Sequence, residues 1–235
     1  MDANPTSRER SVNATRRLDA AARLAASGEV ESALASLPWL TDQIARDAAS
    51  ARFDRWARST VVDEHVGEPV LQRALFDALH ARAGLDADWP IGNAGLVHVY
   101  GYLLSLTPTP YGLKRERWLG PDLARACGLP DDAFSPRAGA ATLLERVTDA
   151  ATAVLRSPAV SRRERVDGRT FTVALSAATG PAALVYARTD VGGAGSAESS
   201  GDGIRLITMF PVADAAAILR SVDDEPDRLR WNAAH

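Results

Sequence analysis

The chain has 235 residues, 46% hydrophobic and 24% charged, an ordinary composition for one globular domain or two small ones. Its net charge of -3 gives no general attraction to nucleic-acid phosphates or anionic lipid, and no basic patch runs along its helical stretches. The single Cys127 rules out an intramolecular disulfide, and no apolar run has the length of a leader or a membrane span, so a cytoplasmic protein without a membrane partner is expected.

Apolar residues recur at helical spacing through the first half. Val12, Leu18, Ala22 and Ala25 predict a helix that stops near Ser27-Gly28, and Val30, Ala33, Leu34 and Leu37 predict another that ends at Pro38. Leu40, Ile44, Ala48 and Ala51 predict a third whose far end carries Phe53 and Trp56, before the β-branched stretch Ser59 to Val62. Pro69 suits the first turn of a helix carrying Leu71, Leu75, Ala78 and Leu79 and closed by Gly84. After Asn93 a cap and a long unbroken stretch favour helix over strand, whereas Thr107 to Gly112 reads as a loop because its two prolines lack amide donors. A short helix is expected from Pro121 to Cys127.

After Pro136 the pattern changes. One more helix carries Leu143, Leu144, Val147, Ala151, Val154 and Leu155 and stops at Ser157-Pro158. Ser161 to Val166 and Arg169 to Ser176 flank an Asp167-Gly168 turn and read as a hairpin, with further strands at Ala182 to Arg188 and Ile204 to Val212. Val191 to Gly203, rich in Gly and Ser, reads as a mobile surface loop, and the stretch from Ala213 to Leu219 as a helix covering the sheet. The fold class expected is α+β. Residues 1–135 form a mainly helical region, and residues 136–235 a helix, a four-stranded antiparallel sheet and a C-terminal tail docked through Trp231.

The chemistry-bearing stretch is 89–118. It holds five of the fourteen aromatic residues, and it contains Lys114, the chain's sole lysine. Arg115, Arg117 and His98 lie in the same stretch, against one acid, Glu116. Aromatic walls with a few convergent cations suit a small anionic metabolite, since the rings exclude water and the charges then act in a lower dielectric. Lys114 and His98 are the candidate catalytic residues, one as an anion site or nucleophile and the other as a proton carrier. Tyr100, Tyr102, Tyr111, Arg115 and Arg117 are expected to line the site, joined by Arg230 and Asn232 from the tail.

Other chemistries lack their signatures. Asp63-Glu64-His65 places ligand types side by side, where regular structure points them apart, and no metal site or cofactor is expected. No Gly-x-Ser-x-Gly turn is present, and Gly192, Gly193 and Gly195 lack dinucleotide-binding spacing. Asp122 to Leu129 has the look of a helix-turn-helix start, but Ser135-Pro136 and Gly139 interrupt what would be the recognition helix. The C-terminal order of a helix followed by strands bearing Arg162, Arg163, Arg165, Arg169 and Thr208 resembles small RelE/EndoU-type ribonucleases; that resemblance implies RNA cleavage. The residues themselves favour an enzyme acting on a carboxylate-bearing metabolite, such as an amino acid or oxo acid, by hydrolytic, deaminating or lyase chemistry. A non-catalytic ligand- or protein-binding module is the alternative.

Overall fold

The computed structural model describes residues 7–190 and 203–225. Helices α1 (Ser7–Ala26), α2 (Val30–Ala35) and α3 (Pro38–Ala49) follow one another through tight turns. Leu18, Ala22, Ala25, Val30, Leu34, Leu40 and Ile44 are all buried, as their helical stripes require. The third helix does not continue to Trp56. Ala51 adopts a left-handed φ of 52°, and a 3₁₀ turn, Arg52–Arg55, redirects the chain so that Phe53 and Trp56 enter the core.

Strand β1 (Arg58–Thr60) pairs antiparallel with β2 (Ile91–Asn93). Pro69 does not open a helix. Val62 bridges Pro69, and the Val70 amide donates to the Val61 carbonyl at 2.9 Å, so the chain stays extended and α4 runs only from Arg73 to Ala83. Gly84 closes it in the left-handed conformation, φ 64°, as its sequence position suggests.

The segment after Asn93 is helical but irregular. The Asn93 side chain accepts from the Leu96 amide at 3.1 Å; Leu96–Tyr100 is then a π-helical turn and Gly101–Leu104 a 3₁₀ turn, both buried. The expected loop from Thr107 contains a minimal hairpin, β3 (Pro108–Thr109) against β4 (Gly112–Leu113). The short helices α5 (Glu116–Leu119) and α6 (Asp122–Ala126) lead to α7 (Leu143–Arg156), capped by Thr142, whose hydroxyl accepts from the Glu145 amide at 3.1 Å.

Strands β5 (Val160–Val166), β6 (Arg169–Leu175), β7 (Ala182–Asp190) and β8 (Ile204–Val212) form one antiparallel sheet in sequence order. Positive φ at both Asp167 (49°) and Gly168 (76°) matches the two-residue turn expected between β5 and β6. The architecture is α+β. One sheet face, with Ala174, Ala183, Val185 and Met209, shares a buried cluster with α7 and the N-terminal helices. The opposite face presents Val173, Leu184, Tyr186, Thr208 and Phe210 to α8 (Ala215–Asp224) and a cavity. Among the described residues no helix is long and apolar enough to cross a membrane. The predicted loop from Val191 lies outside the described residues apart from Gly203, as does the tail that carries Arg230, Trp231 and Asn232.

Candidate functional site

A cavity of about 600 Å³ opens between the second sheet face, α8 and the segment around β3 and β4. Its walls include His98, Tyr102, Tyr111, Lys114 and Arg117, so five of the residues singled out in the sequence share one space. Tyr186, Phe210, Val212, Ile218 and Val222 complete an apolar wall.

Lys114 follows β4, with its side chain only 16% exposed. Its ammonium forms an ion pair with Asp63, itself 3% exposed. Asp63 is aimed by its own turn, since its Oδ1 accepts the amides of His65 at 2.9 Å and Val66 at 3.0 Å. Burial alone would raise this carboxyl, but Lys114 and the two amides outweigh it and hold Asp63 below the usual range. Burial, and after it the Arg117 charge, draws the Lys114 ammonium below its ordinary value, against the pull of Asp63.

Arg117 sits one helical turn on, in α5. Its guanidinium lies 5.3 Å from the Tyr102 ring centre, 5.8 Å from that of Trp118 and 5.7 Å from that of Phe210. One terminal nitrogen donates to Thr208 Oγ1 at 3.2 Å and to the Met209 carbonyl at 3.4 Å. Burial lowers its pKa, yet a guanidinium remains charged at any physiological pH. Among the described residues, no carboxylate pairs with it within 4.0 Å. Asp63 is thus in direct contact with Lys114, whereas Arg117 feels that carboxylate only at longer range.

His98 stands on the π-helical turn, and that widened geometry is common at functional sites. It stacks on Tyr102 with ring centres 4.9 Å apart, and its Nε2 lies 3.2 Å from Ser59 Oγ. Its Nδ1 makes no hydrogen bond of normal geometry. Burial, then the charges of Arg117 and Lys114, pulls its pKa down to about 3; a backbone contact from Ile207 works weakly the other way. The ring is thus neutral and a very weak base at physiological pH. The proton-carrying role expected of His98 has little support in this environment, and the neutral ring acts as a hydrogen-bonding wall.

Tyr100 and Arg115 do not line the cavity. The Tyr100 hydroxyl donates to Asp47 on α3, within a buried network in which Thr142 also donates to that carboxylate at 2.6 Å. Arg115 reaches the other way, to Asp19 of α1 at 2.6 Å. Tyr111, 78% exposed, stands at the hairpin tip and meets His65 edge to face at 5.1 Å. Asp63, Tyr186 and Phe210 are among the wall residues that sequence reasoning did not assign to this site. Strand alternation groups Leu184 with Tyr186 and Thr208 with Phe210, but only the fold shows what faces them.

The rim also carries Glu64, Glu116, Asp122 and Asp214. Glu116 is occupied in part by the Leu113 amide at 3.0 Å, and Asp214 caps α8 by accepting from Ala217 at 3.1 Å. No group of three or more His, Cys, Asp or Glu side chains converges as metal ligands among the described residues. Cys127 lies off the cavity, its thiol pushed up to about 11 by burial and so a poor nucleophile. No protein-family model matches the chain, and no curated protein or solved structure is significantly similar to it.

Proposed function

We propose that this protein takes a small, largely apolar metabolite bearing one carboxylate, such as an amino acid or oxo acid, into the cavity and acts on it there. The observation that carries this reading is the Arg117 cation, part-buried among aromatic rings with no carboxylate in direct contact. Partial removal of such an ion from water carries a desolvation cost, and a ligand carboxylate would offset it. Guanidinium N–H groups not engaged by Thr208 and Met209 remain to receive it. Acids at the rim disfavour a second negative charge, so a monocarboxylate or a zwitterion suits the cavity better than a phosphoester.

Turnover rather than simple capture is favoured by the Lys114–Asp63 pair, an amine and a carboxylate in contact within the same walls. RNA cleavage has no comparable support. Arg162 is tied to Asp223 at 2.6 Å, Arg163 and Arg165 are exposed on strand β5 at the sheet edge, and Thr208 accepts from Arg117 inside the cavity. A cytoplasmic location with no nucleic-acid partner is part of the same proposal; the net charge of -3 is in keeping with it.

Calorimetric titration with 3-phenylpropionate and its neutral amide tests the proposal. The acid should bind at one site and the amide should not. Arg117→Gln should weaken the acid by about 10- to 100-fold, the worth of roughly 1.5–3 kcal/mol for hydrogen bonds to a charged group. Equal binding of acid and amide, or an unaffected variant, would overturn it.

A further inference from the structure

We infer that Lys114 is a covalent catalytic residue that forms an imine with the carbonyl carbon of a 2-oxo acid held in the cavity. This rests on the carboxylate-binding reading above and narrows its substrate to acids with an adjacent ketone.

The first support is the choice of residue. The chain has 27 basic side chains and only one is a lysine. Every other ion pair to an acid among the described residues, apart from one involving His65, uses arginine, as in Arg52 with Asp47, Arg82 with Glu31 and Arg115 with Asp19. Holding Asp63 in place thus does not call for an amine. A nucleophile does, because a guanidinium cannot lose its proton and a lysine can.

The second support is placement. Lys114 lines a cavity whose aromatic and aliphatic walls reduce the access of water to an imine. Its ammonium touches a carboxylate that two backbone amides hold in one orientation. Lys114 and Arg117 both line the cavity within 6 Å of the Tyr102 ring centre, at 5.6 and 5.3 Å, so the amine and the guanidinium are grouped around one ring. In a 2-oxo acid the carboxylate and the carbonyl carbon are directly bonded, which fits adjacent subsites.

The chemistry balances with groups already present. The Lys114 ammonium gives one proton to Asp63, and the free amine attacks the ketone carbon. A proton moves from nitrogen to the former carbonyl oxygen, giving a carbinolamine. Asp63 returns its proton to that hydroxyl, water leaves, and the iminium keeps one N–H and the positive charge beside the Asp63 carboxylate. No oxidant, metal or further cofactor is required. Neutral His98 and the phenol of Tyr102, which burial pushes up, line the space without competing for the proton.

The full-length chain is incubated with phenylpyruvate and sodium cyanoborohydride, then analysed by intact mass and peptide mapping. Binding of phenylpyruvate and of phenyllactate, which has the carboxylate but no ketone, is measured in parallel by calorimetry. The expected result is one reduced adduct on Lys114, absent from Lys114→Arg, with both acids binding the native protein. Lys114→Arg should keep the pair with Asp63, checked by its melting temperature. Should that variant fail to fold, the mapped position in the native chain decides. Binding of both acids with no adduct, or an adduct confined to the N-terminal amine, overturns the imine and leaves the carboxylate-binding reading intact. If neither acid binds, that reading falls, and the imine with it.

Discussion

His98 is the sharpest place to test the electrostatics of the cavity. In the folded chain it is 2% exposed, with its pKa lowered from 6.5 to about 3 by burial, Arg117 and Lys114. Between these values the unfolded state binds a proton that the folded state refuses, so stability is full above about pH 6.5 and declines as pH falls. Near pH 5 this single group lowers stability by about 2 kcal/mol relative to pH 7.5, and the loss is about 4 kcal/mol at pH 3. Replacing His98 with Gln removes this component whatever constant offset the substitution introduces. The remaining acid-sensitive groups, buried His80 among them, are common to both proteins and cancel in the comparison. Urea unfolding of the native chain and His98→Gln near pH 7.5 and near pH 5 gives the difference directly. The stability gap should shift in favour of the variant by about 2 kcal/mol on acidification, equivalent to roughly 4–8 °C in melting temperature for a chain of this size. A gap that stays constant with pH, or an imidazole resonance of His98 titrating near 6.5, would refute the argument. The same neutrality implies that carboxylate binding between about pH 5 and 8 carries no inflection from His98.

Thr142→Ala removes both the cap of α7 and a hydrogen bond to the buried Asp47 carboxylate, so it should cost about 2–4 kcal/mol in denaturant unfolding, whereas Thr142→Ser should cost about 1. Lys114→Ala strands Asp63 without its cation and should destabilise by about 2–4 kcal/mol at neutral pH; adding Asp63→Asn should recover at least half of that loss. A cost below about 0.5 kcal/mol would mean that Asp63 is solvated. Tyr111→Ala, at an exposed hairpin tip on the cavity edge, should leave unfolding within about 0.5 kcal/mol of native while weakening 3-phenylpropionate several-fold by calorimetry.

The individual elements were largely legible in the sequence because their signals are local. Helical stripes in α1 to α4 and α7, the Gly84 stop, the Asp167-Gly168 turn and the alternation of β6 to β8 each depend on residues a few positions apart. The exceptions are short pairings in which proline masks an extended conformation. Residues 69–70 are drawn out of a helix by Val61 and Val62, and Pro108 and Thr109 close on Gly112 and Leu113. Within the site, helical spacing held information that grouping by residue type obscures. His98 and Tyr102, four apart, stack, while Tyr100, two from each, points to α3 instead. Lys114 and Arg117, three apart, face one cavity, whereas Arg115 turns away to α1.

What the sequence by itself determined is therefore the class of elements, their order, and the stretch in which the unusual lysine and the aromatics cluster, since these follow from propensity and period. What only the tertiary structure decided is which cation is in contact with a carboxylate and which is not. Asp63 lies 51 positions before Lys114 and Thr208 lies 91 after Arg117. No local pattern links residues that far apart. Their meeting depends on how the sheet, α8 and the hairpin pack, and with it the desolvation of Arg117 and the low pKa of His98, because desolvation is a property of the packed whole.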